Sequence, residues 1–203
     1  MKISQATLNE VFDQTQRLMS LYKKSNLPIP FSLKGNLGEF IITQELLKLF
    51  PGHEIEYHGG AARGIDISID SIKIQVKTQI KHDPRKFRNG QVDYESSPTI
   101  KKDTIDKKKC DVLILTILYL NKEYSQIEKK HIYVFNQEDF QYFSPTFCWS
   151  GKSKGDKTIV NVLSIKGIPP SKLKEAVDFY NKPLYKKLFR ESKDNWEKIE
   201  RLL

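Results

Sequence analysis

Apolar residues recur near helical spacing through the first 25 positions, where Leu8, Phe12, Leu18 and Leu21 predict a helix over 4–25 capped by Ser4 or Thr7. The stretch Asn26-Leu27-Pro28-Ile29-Pro30 breaks it. A second helix is expected over 32–50, closed by Pro51-Gly52. The period then shortens from helical to alternating. Positions 54–57 predict an edge strand, and 64–70 (GIDISID) and 71–79 predict two more. Positions 111–120 (DVLILTILYL) form a nearly unbroken apolar run of strand length, the pattern of a strand buried on both faces. Further strands are expected at 131–135 and 159–165, with a short helix at 137–143 between them. After Pro169-Pro170, Ser171 caps a helix with Glu175 nearby. A final helix is expected over 183–203, with Leu184, Leu188, Trp196, Ile199 and Leu203 on or near one face. Helices, then strands, then helices predict a mixed α/β domain with outer helices.

Composition narrows the class. The 203 residues are 38% hydrophobic and 11% aromatic, enough for a packed core, which excludes wholesale disorder. No apolar run reaches the roughly 18 residues a membrane span needs. Asn9, Glu10, Asp13, Gln14 and Arg17 interrupt the N-terminus, so a signal peptide is not expected. Cys110 and Cys148 cannot make a disulfide framework, and no CxxC is present. The expectation is a cytoplasmic protein with reduced thiols. Lys and Arg number 34 against 25 acids, a net charge of +9, which modestly favours a polyanionic partner.

The candidate chemistry begins with two strands. With Asp70-Ser71 at a hairpin tip, Ile69 faces Ile72, Ile67 faces Ile74 and Asp66 faces Gln75. Alternation then puts Ile67, Ile69, Ile72, Ile74 and Val76 on one side, and Asp66, Ser68, Lys73, Gln75 and Lys77 on the other. A carboxylate, an amide and an ammonium thus share a face, as they would also on the solvated side of an ordinary amphipathic hairpin. On the second helix Glu39 falls inside the arc of Phe40, Ile42, Leu46, Leu47, Leu49 and Phe50. A buried carboxylate there costs several kcal/mol unless a cation or a lysine meets it. Gly35 and Gly38 lower helix propensity just before it, which makes sense where another backbone or a ligand comes close.

Glu39 in a Gly-Glu-Phe helix, Gly64-Ile65-Asp66 opening a strand, and Gln75-Val76-Lys77 ending the next together resemble the PD-(D/E)xK nuclease superfamily. That group includes type II restriction endonucleases and Holliday-junction resolvases. The likeness spans 35–79 and the apolar strand 111–120. It implies an α/β, restriction-endonuclease-like core with a central mixed β-sheet flanked by helices, plus N- and C-terminal helices. A single domain over 1–203 would then comprise a helical extension (1–30), a catalytic core (33–165) and C-terminal helices (171–203).

By the same resemblance Asp66 is the central metal ligand, Glu39 a second acidic ligand, and Lys77 the lysine. Gln75 stands where the family usually has Asp or Glu, and the Val76 carbonyl is a further ligand. Ile65 replaces the family's proline, and a neutral Gln75 makes Glu39 more necessary. The implied activity is Mg²⁺-dependent hydrolysis of DNA phosphodiesters, with Mn²⁺ as a substitute cation. A restriction endonuclease is the first reading. A junction resolvase or repair nuclease, and an inactive nucleic-acid-binding module, are the alternatives. The implied partners are double-stranded DNA and a second copy of the chain, with no membrane and no nucleotide cofactor.

Residues 81–109 form a long polar segment following Lys77, in which Arg85, Lys86 and Arg88, with Phe87 and Tyr94, are candidates for DNA contacts. Lys152, Lys154 and Lys157 in SGKSKGDK could grip a backbone phosphate, but the spacing of a nucleotide-binding GxxxxGK[ST] loop is absent. His53, His58, His82 and His131 are scattered and form no zinc set.

Overall fold

The computed structural model describes residues 4–59, 65–82, 99–101, 109–142, 148–149, 159–161, 174, 178 and 183–203. Its first helix, α1 (Gln5–Lys24), starts where Ser4 Oγ accepts the Thr7 N–H at 3.1 Å. The buried positions of α1 are Leu8, Thr15, Met19 and Ser20, while Leu18 and Leu21 are 43% and 58% exposed. The predicted stripe therefore holds at Leu8 and Phe12 and fails at Leu18 and Leu21. Leu8, Phe12, Thr15 and Met19 are spaced four, three and four apart and line up on α2. At about 100° per residue, Leu18 and Leu21 fall roughly 90° and 150° away.

Helix α2 (Phe31–Leu49) is covered on two sides. Leu37 and Ile41 pack with Met19 of α1, and Ile42 and Leu46 pack on the sheet. Leu49, expected within the apolar arc, is exposed because neither layer reaches it. The chain then enters β1 (Ile55–Tyr57), β2 (Ile67–Ile69), β3 (Ile72–His82), β4 (Thr99–Lys101), β5 (Val112–Leu120) and β6 (Ile127–Asn136). A 3₁₀ turn (Asp139–Tyr142), β7 (Cys148–Trp149), β8 (Ile159–Asn161), α3 (Pro183–Ser192) and α4 (Glu197–Glu200) follow.

Among the described residues, five strands form one mixed sheet in the order β1-β2-β3-β5-β6. β2 is antiparallel to both β1 and β3, β3 and β5 run parallel, and β5 and β6 are antiparallel. The apolar run at 111–120 became the central strand with neighbours on both sides, as its pattern implied. A second sheet has the order β4-β8-β7. The β2–β3 hairpin has the register read from the sequence: Ile69 opposite Ile72, Ser68 opposite Lys73 and Ile67 opposite Ile74. Its inward isoleucines, with Val76, Val112, Ile114, Ile132 and Val134, form a core under α2. Leu113, Leu115 and Phe135 point to the other face and pack with Cys110, Phe140 and Leu188 of α3.

Several boundaries differ from expectation; the strand expected at 131–135 spans Ile127–Asn136. β3 runs to His82 rather than Gln79 because β5 supplies hydrogen-bonding partners along its whole second half. β2 is confined to Ile67–Ile69. The single helix expected over 183–203 is two pieces. Between them Lys193 makes a β-bridge to Tyr133, Asp194 takes a positive φ of 50°, and its N–H donates to the Ile132 carbonyl at 3.0 Å. Backbone pairing to β6 thus interrupts the helix, and Leu184 and Leu203 are exposed while Leu188 and Ile199 are buried. The strand expected at 159–165 is present at Ile159–Asn161, and Lys174 and Asp178, within the stretch expected to be helical after Ser171, are helical. The rest of both expectations lies outside the described residues. Among the described residues, no helix is long and apolar enough to cross a membrane.

Candidate active site

The site lies where β2 ends and β3 continues. Beyond Ile67 no strand among the described residues covers that edge of β3. Asp66 closes the last step of pairing by donating its N–H to the Ile74 carbonyl at 3.0 Å. Its carboxylate then takes the place of a neighbouring strand, with Oδ2 accepting the Val76 N–H at 2.7 Å. The Val76 carbonyl accepts from Lys77 Nζ at 3.0 Å, which brings that ammonium to 3.8 Å from Asp66 Oδ2. Two backbone groups on an open strand edge thus hold a carboxylate and an ammonium side by side.

Asp66 is braced from β1 as well. The His58 N–H donates to the Asp66 carbonyl at 2.9 Å, and His58 Nε2 lies 2.8 Å from Ser68 Oγ. Lys73, on the same side of the hairpin by alternation, is exposed, and its N–H donates to Asp111 Oδ2 at 2.8 Å, so it is not part of the cluster.

Gln75, two residues before Lys77 on the same side of β3, is only 6% exposed. Its Oε1 is buried and has no hydrogen-bond partner among the described residues. An unsatisfied buried acceptor costs about 1–3 kcal/mol, and no group among the described residues offsets that cost. The Gln75 backbone N–H meets Cys110, whose thiol is pushed up to about 12, mainly by burial. That cysteine is therefore a protonated core residue.

Glu39 arrives from α2. It is half-buried, and Tyr57 at the end of β1 donates its hydroxyl to Oε2 at 3.0 Å. Burial raises the Glu39 carboxyl above the usual range, and the negative charge of Asp66 raises it further. The Tyr57 hydrogen bond and the Lys77 charge pull the other way. Two carboxylates are thus close enough to repel each other, and Lys77 offsets only part of that. Gly38, one residue before Glu39, faces Thr78 of β3 with no room for a side chain, which seats this turn of α2 against the strand.

The arrangement fits a divalent cation by the chemistry of its donors. Asp66 and Glu39 would supply charge, and Gln75 Oε1, which has no partner among the described residues, would supply a neutral oxygen. The Val76 carbonyl, the other ligand implied by the resemblance, is engaged by Lys77. No group of three or more His, Cys, Asp or Glu comes together among the described residues. The cluster has two carboxylates because the third position is an amide.

Of the residues singled out in the sequence, Asp66, Val76 and Lys77 are in direct contact, Glu39 is coupled to Asp66 and Lys77 electrostatically, and Gln75 shares their strand. Arg85, Lys86, Arg88, Lys152 and Lys154, with Phe87, Tyr94 and Lys157, lie outside the described residues. Tyr57 was missed. The available signal was its place two residues after Ile55 on a strand, which turns a phenol toward the core, where its hydroxyl needs an acceptor.

No protein-family model and no curated protein matches the chain. Among solved structures, a bacterial homing endonuclease, I-Ssp6803I, is similar at 12% identity over 86% of this chain and 95% of that one, with a TM-score of 0.39. A likeness of that depth leaves the function to be argued from the site.

Proposed function

We propose that this protein is a divalent-metal-dependent endonuclease that hydrolyses DNA phosphodiester bonds with a PD-(D/E)xK-type site, as a restriction endonuclease acting on double-stranded DNA as a homodimer. The observation that carries the reading is the pairing of Asp66 and Lys77 on the open edge of β3, with Lys77 Nζ 3.8 Å from Asp66 Oδ2. A structural ion pair explains that contact alone. It does not explain why a second carboxylate, Glu39, lies within electrostatic reach of Asp66, or why Gln75 Oε1 is buried without a donor among the described residues.

Asp66 and Glu39 would hold the cation, Mg²⁺ or Mn²⁺ in its place, and Gln75 would complete its oxygen set. When bound, the cation would supply charge neutralisation at the phosphate and acidification of water. Lys77 stands beside Asp66, where its ammonium can orient the attacking water and stabilise charge on the phosphate oxygens. Its bond to the Val76 carbonyl fixes the ammonium against the strand, so little rotamer freedom remains to be lost when substrate arrives. The net charge of +9 favours approach of a polyanion.

Incubation with supercoiled plasmid and Mg²⁺ tests this. Discrete fragments, lost in both Asp66→Ala and Lys77→Ala while the fold persists, are the expected result. Cleavage confined to branched DNA would make the protein a junction resolvase instead. Binding without cleavage would make it an inactive DNA-binding module, and full activity in either variant would overturn the site.

A further inference from the structure

We propose that Tyr57 is a positioning residue for Glu39, deciding which carboxylate oxygen is presented to the cation; this rests on reading Glu39 as a cation ligand. The geometry is specific. Tyr57 closes β1, and its ring is tilted at 46° against that of Phe40, the residue after Glu39, with centroids 5.3 Å apart. Beside the ring is Gly59, whose φ of 58° suits glycine and where a Cβ would come within 3.3 Å of Tyr57 Cε1. The ring, seated against Phe40, delivers its hydroxyl to Glu39 Oε2 at 3.0 Å.

That leaves Oε1. Gly35 lies one helical turn earlier, and even a Cβ there would come no nearer than 4.0 Å to Oε1. Oε2 is therefore engaged, while Oε1 has no hydrogen bond among the described residues. A phenol suits the task better than an ammonium would. It fixes the carboxylate with a hydrogen bond but brings no positive charge to compete with a cation. A phenol ordinarily ionises only at about pH 10, so at neutral pH it is a donor. Such partners orient metal ligands in many sites, and losing one costs about 10–100-fold in metal affinity or activity.

Mn²⁺ titrations of the full-length protein, following the free-ion EPR signal, test the inference without relying on catalysis. Tyr57→Phe keeps the ring and its packing and removes only the hydroxyl. It is expected to weaken Mn²⁺ binding about 10–100-fold while the metal-free melting temperature stays near the parent value. Glu39→Gln should weaken binding too, and the double variant should bind no worse than Glu39→Gln alone, because Tyr57 acts only through that carboxylate. Unchanged affinity in Tyr57→Phe, or a loss that adds to that of Glu39→Gln, would overturn the role given to Tyr57 while leaving the metal site intact. Asp66→Asn reports on the site independently. If the parent shows no Mn²⁺ binding that Asp66→Asn removes, the metal site itself is wrong, and the role of Tyr57 falls with it.

Discussion

A Cβ on Gly38 would fall 1.8 Å from Thr78 Oγ1 and 2.8 Å from Thr78 Cβ, so α2 lies against β3 with no side chain between them at that point. Glu39 is the next residue, and this contact sets how deep its carboxylate reaches. Overpacking costs about 1–3 kcal/mol, and sometimes more. Replacing a mid-helix glycine by alanine returns at most about 1 kcal/mol. Gly38→Ala is therefore expected to lose about 2 kcal/mol net in urea denaturation. It should also lose cleavage activity out of proportion to that, because Glu39 is displaced. Adding Thr78→Ala should restore part of the stability, since it removes the closest atom and leaves the 2.8 Å overlap with Cβ.

Gln75 is the position where a charge can be added to the site. Gln75→Glu would bury a third carboxylate near Asp66 and Glu39, which is unfavourable without a cation. The metal-free variant is expected to melt below the parent. Mg²⁺ should raise its melting temperature more than that of the parent, because a ligand that binds the folded state more tightly stabilises it more. Calorimetry with EDTA and with Mg²⁺ measures both shifts. Equal Mg²⁺ shifts in the two proteins would show that Gln75 does not face the cation.

The β2–β3 turn makes a prediction about pH. Asp70 has a positive φ of 50°, its Oδ2 lies 2.7 Å from His53 Nδ1, and its Oδ1 accepts the Glu54 N–H at 2.8 Å. The His53 hydrogen bond, and then the Glu54 N–H, lower the Asp70 carboxyl below its ordinary value. A carboxyl whose folded pKa is depressed stabilises the fold above its unfolded pKa, near 4, and loses that contribution as pH falls through the folded value. Asp70→Asn should therefore melt slightly lower than the parent at pH 6, with the gap closing as pH falls below about 4. A gap that stays constant with pH would assign the difference to geometry rather than charge.

The C-terminal segment is anchored by one lysine. Lys198 donates to Asp139 Oδ2 at 2.6 Å and to Ser192 Oγ at 2.8 Å, with both charged side chains 13% exposed. Lys198→Ala leaves Asp139 buried without its cation and is expected to cost about 3 kcal/mol. Hydrogen exchange should show the loss concentrated in α4 and the 3₁₀ turn rather than in β3 and β5.

Most of what places the site was legible because it follows from alternation. A two-residue hairpin tip fixes parity, and parity fixed the register of Ile67 with Ile74 and hence the partnership of Asp66 with the end of β3. The buried run at 111–120 was legible because a central strand needs apolar residues on both faces. What was not legible depends on layers the local pattern cannot see. Leu18 and Leu21 are as apolar as Leu8 and Met19, and only the position of α2 decides which pair is buried. The break at Lys193–Asn195 has no glycine or proline to announce it; it follows from backbone pairing to Tyr133 and Ile132, far away in sequence. Tyr57 was hidden for a related reason, since its significance lies in an acceptor on another element.

The way Asp66 and Lys77 engage Val76 has a consequence apart from chemistry. An unpaired N–H and carbonyl on a long strand invite a strand from another molecule, and proteins suppress this by placing charges or obstacles along such edges. Here one carboxylate and one ammonium occupy both groups of Val76, so the residues that would act on substrate also serve as stoppers against strand addition. Replacing either by alanine uncovers sticky backbone, and preparations of such inactive variants should self-associate more readily than the parent at high concentration.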